Sequence, residues 1–346
     1  MRACVLHGVR DLRFDPAAPD PAPASGEVLV RVARVGLCGS DLHVWRTGDF
    51  ISTFPVVPGH EVVGTVVGEG AGVHGYVGRR VALDSRVPCG WCPWCAVARF
   101  QRCEAIGFLG EVRGGGFGEL IAVPVSRIYA IPDELPFETA VLAEPTAVVL
   151  HAWARACRVS ETRVGDVLGA VILGAGPVGV LAALAAPEDA EIVLIEPNPV
   201  RAATARRLTG REVIDLAALD RLAGGFDAAL DCAGAPGSIG RAGGLVRPGG
   251  VVTAVALHHA PDELDVNAFI GREVTLTGTH VFDDEMPAAL ELLARRGEAF
   301  APVVDRVVAL AELPALVEAA ADGRAEHLKL AIDPGRSSGR HQKRGG

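Results

Sequence analysis

The sequence has no excess of positive charge and no long apolar run. Its 42 acidic residues outnumber its 33 basic residues, which gives a net charge of -9 at pH 7. Because a surface that binds phosphate groups needs an excess of basic residues, we expect no nucleic-acid partner. The longest apolar stretches, such as residues 178–186, are shorter than the roughly 20 residues that cross a bilayer. The N-terminal residues also contain no apolar stretch of signal-peptide length, so we expect a cytoplasmic protein without a membrane partner.

The length of the chain and the residue pattern of its first third predict a separate β domain. A chain of 346 residues exceeds what one hydrophobic core usually supports, so we expect two domains. Residues 27–32 alternate apolar and polar side chains, as a strand does, and residues 60–67 and 78–83 have a similar character. Short strands separated by glycine and proline predict a compact, mostly antiparallel β domain.

The composition changes near Pro136, where an Ala-, Leu- and Val-rich helical stretch covers residues 137–156. Beyond it, apolar runs typical of parallel strands buried on both faces alternate with helical segments. The predicted strands cover residues 167–173, 191–195, 226–231, 250–255 and 273–278. This alternation predicts a doubly wound α/β sheet, a Rossmann domain, over residues 147–282. Residues 1–146 and 283–346 are assigned to the β domain, and residues 334–346 are expected to form a disordered basic tail.

A glycine-rich turn lies between the first of these buried strands and a helix. The turn consists of Gly174, Ala175, Gly176, Pro177, Val178 and Gly179. The GxGxxG spacing permits a tight turn and a close approach of the backbone to a pyrophosphate at the helix N-terminus. A plain strand-to-helix turn is the structural alternative.

The next strand ends in Glu196, twenty residues after Gly176. An acidic residue at this spacing accepts hydrogen bonds from the ribose 2′-hydroxyl, although a solvated strand end is the alternative. The glycine turn and Glu196 together favour dinucleotide binding. A carboxylate at this position repels a 2′-phosphate, so we expect NAD rather than NADP, although Arg201 is close enough in sequence to weaken that preference.

Four of the eight cysteines lie within fifteen residues of each other. They are Cys89, Cys92, Cys95 and Cys103. Clustered cysteines in a cytosolic chain of this size serve metal binding or catalysis more often than disulfides. Four thiolates from one loop can hold a tetrahedral Zn²⁺ with no open position, so we predict a structural zinc site.

A second candidate metal site is less specific in sequence. Cys38 begins the segment Cys-Gly-Ser-Asp-Leu-His, and His60 and Glu61 end the segment Pro-Gly-His-Glu. A catalytic zinc takes three protein ligands and keeps one position open, and a thiolate, an imidazole and a carboxylate would serve. Taken singly, a cysteine is usually a small core residue, and a histidine is more often structural than a ligand.

The order of these motifs resembles a known family. The two short segments, the four-cysteine loop, Glu144-Pro145 and the glycine turn occur in the order seen in zinc-containing medium-chain alcohol dehydrogenases. The chain is similar to that family from about Arg2 to Pro334, and most similar to its polyol branch of sorbitol and 2,3-butanediol dehydrogenases. The resemblance implies a GroES-like catalytic domain together with the Rossmann domain. It also implies two zinc ions per chain and a homodimer or homotetramer.

The resemblance also implies roles for single residues. Cys38 and His60 match zinc ligands, and Glu61 and Glu144 match two carboxylates, either of which can bind zinc directly or through water. Ser40 matches the hydroxyl that takes the proton of the alcohol, and His43 matches the next group of that relay, at its surface end. The residues that match cofactor positions are Gly174, Gly176, Gly179 and Glu196.

The sequence therefore predicts a zinc-dependent oxidoreductase that transfers a hydride between a secondary alcohol and NAD. The alcohol would be a polyol, a diol or a sugar-like molecule. Two alternatives remain: a dehydrogenase of amino alcohols or aminocyclitols, similar to threonine dehydrogenase, and a cofactor-binding relative without turnover. The second alternative is disfavoured because a decayed site usually loses a ligand, whereas this one is complete in Cys38, Ser40, His43, His60 and Glu144.

Overall fold

The computed structural model describes residues 1–159, 169–324 and 327–337. Contacts between Cα atoms group the chain into two compact units. The first unit contains Met1–Glu144, Leu293–Gly297 and Val304–Gly346, and the second contains Pro145–Leu292 and Glu298–Val303. The domain limits expected from the sequence stay a prediction. Most of the expected disordered tail, residues 338–346, lies outside the described residues.

The strands are numbered in chain order. They are β1 (Ala3–Gly8), β2 (Asp11–Asp15), β3 (Glu27–Gly36), β4 (Glu61–Glu69), β5 (Arg80–Leu83), β6 (Arg86–Val87), β7 (Gly107–Phe108), β8 (Leu120–Pro124), β9 (Ile128–Ala130), β10 (Gly169–Leu173), β11 (Glu191–Ile195), β12 (Glu212–Ile214), β13 (Phe226–Asp231), β14 (Val246–Ala254), β15 (Thr275–Gly278), β16 (Val304–Ala309) and β17 (Lys329–Asp333).

A seven-stranded sheet organises the first unit, in the order β16-β17-β3-β4-β5-β9, with β8 also paired to β3. Its pairs are antiparallel except for β16 with β17. On β3, Val28, Val30 and Val32 are buried, whereas Arg31 between them is exposed. This alternation places one face of the strand in the core, as a period of two requires. The predicted mostly antiparallel β domain is confirmed.

A six-stranded sheet organises the second unit, in the order β12-β11-β10-β13-β14-β15. All of its neighbouring strands are parallel. Every residue of β10 is buried, which explains why that strand is a continuous apolar run rather than an alternating one. The predicted doubly wound α/β domain is confirmed, while residues 167–168 of the predicted first strand lie outside the described residues.

The helices are also numbered in chain order. They are α1 (Gly39–Thr47), α2 (Pro93–Ala96), α3 (Phe137–Ala140), α4 (Ala143–Val159), α5 (Pro177–Ala185), α6 (Pro199–Thr209), α7 (Ser238–Leu245), α8 (Val266–Ile270), α9 (Met286–Phe300) and α10 (Leu313–Ala321). Among the described residues, every helix is too short or too polar to traverse a lipid bilayer.

The helical stretch predicted over residues 137–156 is present, but it is divided into α3 and α4. Pro145 explains the division. Proline has no N–H group, and its ring clashes with the carbonyl four residues earlier, so it is tolerated in the first turn of a helix but not in the interior. The chain therefore ends α3 at Ala140 and begins α4 at Ala143, two residues before the proline.

Candidate active site

Cys38, His60 and Glu61 come together in the first unit. One possible ligand atom from each of them lies within 4.8 Å of the other two. The register of two strands produces this cluster, because Gly36 at the end of β3 pairs with Glu61 at the start of β4. Cys38 follows the end of β3 by two residues, and His60 directly precedes β4. Antiparallel pairing thus brings the two short segments to the same end of the sheet.

Gly36 also makes room for the Glu61 side chain. A Cβ atom at Gly36 would lie 1.8 Å from Glu61 Oε2. Any larger residue would therefore displace the carboxylate from the cluster. Gly36 is not among the site residues predicted from the sequence, although glycine inside a strand is a signal for a close approach.

Asp41 supports two members of the cluster at once. Its Oδ2 accepts a hydrogen bond from the backbone N–H of Cys38 at 2.9 Å, and its Oδ1 lies 3.4 Å from His60 Nδ1. Burial lowers the pKa of His60, but the charge and hydrogen bond of Asp41, together with Cys38, raise that pKa well above its usual value. A histidine whose Nδ1 is held by a carboxylate can offer Nε2 to a metal ion.

Lys329 on β17 is a member of the site that the sequence analysis missed. Its Nζ lies 2.6 Å from each carboxylate oxygen of Glu61, and it donates to the backbone carbonyl of Leu37 at 2.9 Å. Both side chains are buried, with 3% of Lys329 and 1% of Glu61 exposed. Burial lowers the pKa of Lys329, but the charges of Glu61, Cys38 and Asp41 and the hydrogen bond to Glu61 together outweigh burial, so the net shift is upward. The signal in the sequence was a lysine next to the apolar residues of strand 329–333, because a buried lysine needs a partner of opposite charge.

Glu144, in the first turn of α4, lies near the cluster but not in it. Its Oε1 accepts a hydrogen bond from the Ser85 hydroxyl at 2.9 Å. Burial raises the pKa of Glu144, as does the charge of Glu61, against the opposite effects of His60 and Lys329. The carboxylate is thus close enough to the cluster to interact with its charges. Ser85, which is fully buried, was also missed from the sequence.

The proposed relay residues Ser40 and His43 both lie on α1, which begins directly after Cys38. Their spacing of three residues places them on one face of the helix. His43 Nε2 lies 3.0 Å from Asp49 Oδ2, and its ring packs 5.8 Å from that of Phe50, centroid to centroid. Asp49 is exposed, so the pair leads towards solvent.

The donor atoms at this site fit a catalytic zinc ion. A thiolate, an imidazole and a carboxylate are the usual ligands of an ion that keeps one position open. The carboxylate held on His60 Nδ1 supplies the outer support that zinc-bound histidines normally have.

The four-cysteine loop forms a second cluster, and its geometry fits a closed structural site. One Sγ atom from each of Cys89, Cys92, Cys95 and Cys103 lies within 4.8 Å of the others. None of the eight cysteines, all of which lie in the described part of the chain, forms a disulfide. Burial raises the pKa of Cys92, but hydrogen bonds from the backbone N–H groups of Glu104 and Cys95 and from neighbouring thiols lower it, whereas burial and the same neighbours raise the pKa of Cys95. The thiolate that metal binding requires therefore forms first at Cys92.

The glycine turn joins β10 to α5 in the second unit. Gly174 has a φ of +96°, and a Cβ at Gly179 would lie 1.9 Å from the Gly174 carbonyl oxygen. Gly176 precedes α5, and a Cβ there would meet nothing within 4 Å, so its backbone faces open space. Pro177 and Val178 begin the helix, where a missing N–H does no harm. The turn therefore exposes its backbone at a helix N-terminus, which suits a pyrophosphate.

Glu196 is buried rather than lying at a solvated strand end, with 4% of its side chain exposed. Its Oε2 accepts a hydrogen bond from Ala175 N at 3.1 Å, and its Oε1 accepts one from Asn198 N at 2.9 Å. Arg201, on the first turn of α6, lies 3.1 Å from Oε1 while 56% of its side chain is exposed. Glu196 thus holds the glycine turn, and Arg201 adds a positive charge beside it.

The fold and the two clusters define a zinc-binding oxidoreductase with a dinucleotide domain, and comparison with known proteins agrees. The family described as the alcohol dehydrogenase GroES-like domain matches residues 24–133. The family described as zinc-binding dehydrogenase matches residues 177–295.

Individual relatives match over most of the chain. Sorbitol dehydrogenase of Bacillus subtilis (strain 168) is 31% identical, over 97% of this chain and 98% of its own length. (R,R)-Butanediol dehydrogenase of the same strain is 32% identical, over 85% of this chain and 88% of its own. A proposed zinc-binding dehydrogenase of Sinorhizobium meliloti 1021, solved with NADP, has a TM-score of 0.86 and 26% identity, over 96% of this chain and 99% of that one.

The chain belongs to the zinc-containing medium-chain alcohol dehydrogenases, in the polyol branch of that family. It is an oxidoreductase, and its cofactors are zinc and a nicotinamide dinucleotide.

Proposed function

We propose that the protein oxidises a secondary alcohol group of a polyol or vicinal diol, with NAD as the acceptor of the hydride. The observation that carries the proposal is the convergence of Cys38, His60 and Glu61 at the start of the helix that bears Ser40 and His43. The similarity to sorbitol and butanediol dehydrogenases supports this choice of substrate class.

The residues of the first unit have distinct tasks in this reaction. Zinc, when bound, lowers the pKa of an oxygen ligand from about 16 to about 7, and nicotinamide, when bound, accepts a hydride. Ser40 takes the proton of the substrate hydroxyl, because a serine hydroxyl can accept one hydrogen bond while donating another. Ser40 gives its own hydroxyl proton to His43 as it does so, and Asp49 orients the His43 ring.

Glu61 is the carboxylate that we propose as the direct zinc ligand. It belongs to the 4.8 Å cluster with Cys38 and His60, whereas Glu144 is held outside that cluster by Ser85. Glu61→Gln should therefore lower zinc content at this site, and Glu144→Gln should retain the metal. Zinc measured in both variants tests the assignment, and loss of zinc from Glu144→Gln alone would reverse it.

NAD is the proposed cofactor because Glu196 places a buried negative charge beside the glycine turn. That charge disfavours a 2′-phosphate. The exposed part of Arg201 acts in the opposite direction, so we propose a preference for NAD rather than an absolute restriction.

The test of the proposal is reduction of NAD at alkaline pH with a panel of diols, polyols and amino alcohols. Vicinal diols and polyols should give the highest kcat/KM. Cys38→Ala should abolish turnover, and Cys157→Ala, which removes a buried thiol elsewhere, should leave it unchanged. A protein that binds zinc and NAD but turns over no secondary alcohol would instead be the non-catalytic relative.

A homodimer or homotetramer and a cytoplasmic location remain part of the proposal. Light scattering coupled to gel filtration would measure the oligomeric state. A mass equal to one chain of 35.9 kDa would contradict it.

A further inference from the structure

A glycine-rich loop between β7 and β8 is fixed against the segment that leads into His60. Gly115 N donates to Val57 O at 2.7 Å, Gly116 N donates to Gly59 O at 2.7 Å, and Phe117 N donates to Pro58 O at 2.9 Å. A Cβ at Gly110 would lie 2.7 Å from Gly59 N, and one at Gly115 would lie 2.3 Å from Gly59 O. The loop therefore has little freedom to move relative to the candidate metal site.

Glu111 lies at the turn of this loop. Its backbone N–H donates to Phe108 O at 3.1 Å, and its carbonyl accepts from Ser52 N at 3.3 Å. The side chain is half-buried, and no residue in the described part of the chain donates a hydrogen bond to its carboxylate or forms an ion pair with it. Gly110, directly before Glu111, packs against Gly59 N, so Glu111 lies beside the segment that leads into His60.

Burial raises the pKa of the Glu111 carboxyl group to about 7, although the charge of His60 opposes that effect. A carboxylate that loses water without gaining a partner is stabilised by any ligand that brings a hydrogen-bond donor or a positive charge. A ligand that brings a second negative charge is repelled.

We propose that Glu111 is a specificity residue of the active site, which favours substrates bearing an ammonium or hydroxyl group next to the reacting alcohol and disfavours substrates bearing a carboxylate or phosphate there. This inference rests on the proposed function and narrows it.

Three secondary alcohols that differ in one neighbouring group test the charge preference. They are butane-2,3-diol, 3-aminobutan-2-ol and 3-hydroxy-2-methylbutanoate. The wild-type protein should rank the ammonium compound and the diol above the carboxylate in kcat/KM. Assays at about pH 9 keep the Glu111 carboxyl ionised in every sample. Added salt should reduce the difference, because Glu111 is only half-buried.

The variant Glu111→Gln keeps the size of the side chain and removes its charge. It should lower the ratio of kcat/KM for the ammonium compound over the carboxylate by about tenfold, which corresponds to about 1.4 kcal/mol. The matched control is Glu134→Gln, which removes an exposed carboxylate from the same unit. This control should leave the ratio unchanged.

Unreactive analogues separate binding from turnover. Neither 1-amino-2-methylpropan-2-ol nor 3-hydroxy-3-methylbutanoate can be oxidised at its tertiary carbon, so calorimetry of the holoenzyme gives their Kd values directly. The ammonium analogue should bind more tightly to wild type, and Glu111→Gln should remove that difference.

The two proposals fail in different ways. If the wild type oxidises none of the three alcohols, the proposed function is wrong. If it oxidises them and Glu111→Gln leaves both the kcat/KM ratio and the Kd ratio unchanged, Glu111 is a loop residue without a role in specificity.

Discussion

Lys329 and Glu61 are 268 positions apart in the chain, yet Lys329 Nζ lies 2.6 Å from both carboxylate oxygens of Glu61. The pairing follows from the order of the sheet, because β17 and β4 both pair with β3 on opposite sides. Two buried charges are costly unless each neutralises the other. Lys329 therefore supplies the opposite charge for the buried Glu61 side chain beside Cys38 and His60.

Replacing Lys329 with methionine should destabilise the protein by about 3–5 kcal/mol, because it leaves the Glu61 charge buried and unpaired. The double variant Lys329→Met with Glu61→Gln should recover part of that loss. Urea denaturation of metal-free protein measures both effects. Equal stability of the wild type and Lys329→Met would show that the pair contributes nothing.

The contribution of the same pair should depend on pH in a defined direction. The pKa of Lys329 is raised in the folded protein. The stabilisation is therefore fully present below the unfolded value of about 10.4 and is lost as pH rises through the higher folded value. The stability difference between wild type and Lys329→Met should narrow only at strongly alkaline pH. If this stability difference instead became smaller between pH 5 and pH 8, the titrating group would be a histidine rather than Lys329.

The protein should bind two zinc ions per chain that differ in lability. Four thiolates with no open position hold metal more firmly than a mixed site that exchanges with solvent. Mild chelation should abolish activity and remove one ion, with the circular dichroism spectrum unchanged. Elemental analysis measures the zinc, and full activity in a zinc-free sample would overturn the mechanism.

Changing the charge beside the glycine turn should alter the choice between NAD and NADP. Glu196→Gln keeps a hydrogen-bond acceptor for Ala175 N but removes the negative charge, so the preference for NAD should fall by about tenfold, or about 1.4 kcal/mol. Arg201→Ala should strengthen the preference for NAD, because it removes the positive charge beside Glu196. The measurement is the ratio of kcat/KM for the two cofactors.

The exposed Glu212 on the neighbouring strand β12 supplies the control for this comparison. Glu212→Gln should leave the cofactor ratio as it is in the wild type. A wild-type protein with a higher kcat/KM for NADP than for NAD would show that our interpretation of Glu196 is wrong.

His43→Ala should slow turnover without loss of zinc. A residue that transfers a proton contributes about a hundred- to ten-thousandfold, and buffer partly replaces one at the solvent end, so the loss should be about a hundredfold or less. The loss of rate should be largest below neutral pH, and added imidazole should restore part of the rate. His60→Ala should lose both the metal and nearly all activity. Zinc content and pH–rate profiles of both variants decide the matter, and loss of zinc from His43→Ala would assign His43 a structural role.

Much of the fold could be predicted because its signals are local. The alternation on β3 and the fully apolar β10 each reflect how many faces of a strand are buried, and both were recognised in the sequence. The division between α3 and α4 was also encoded locally, in Pro145, but the prediction gave the Ala- and Leu-rich composition more weight than the proline.

The sequence by itself determined the four-cysteine loop and the glycine turn. In each case the functional atoms come from one short segment, so spacing alone brings them together. Only the tertiary structure decided that Lys329 pairs with Glu61, that Ser85 holds Glu144 and that the loop of Glu111 packs against the segment leading into His60. These contacts join residues far apart in the chain, and their geometry depends on strand order and loop packing. A pattern confined to neighbouring residues predicts neither the strand order nor the loop packing.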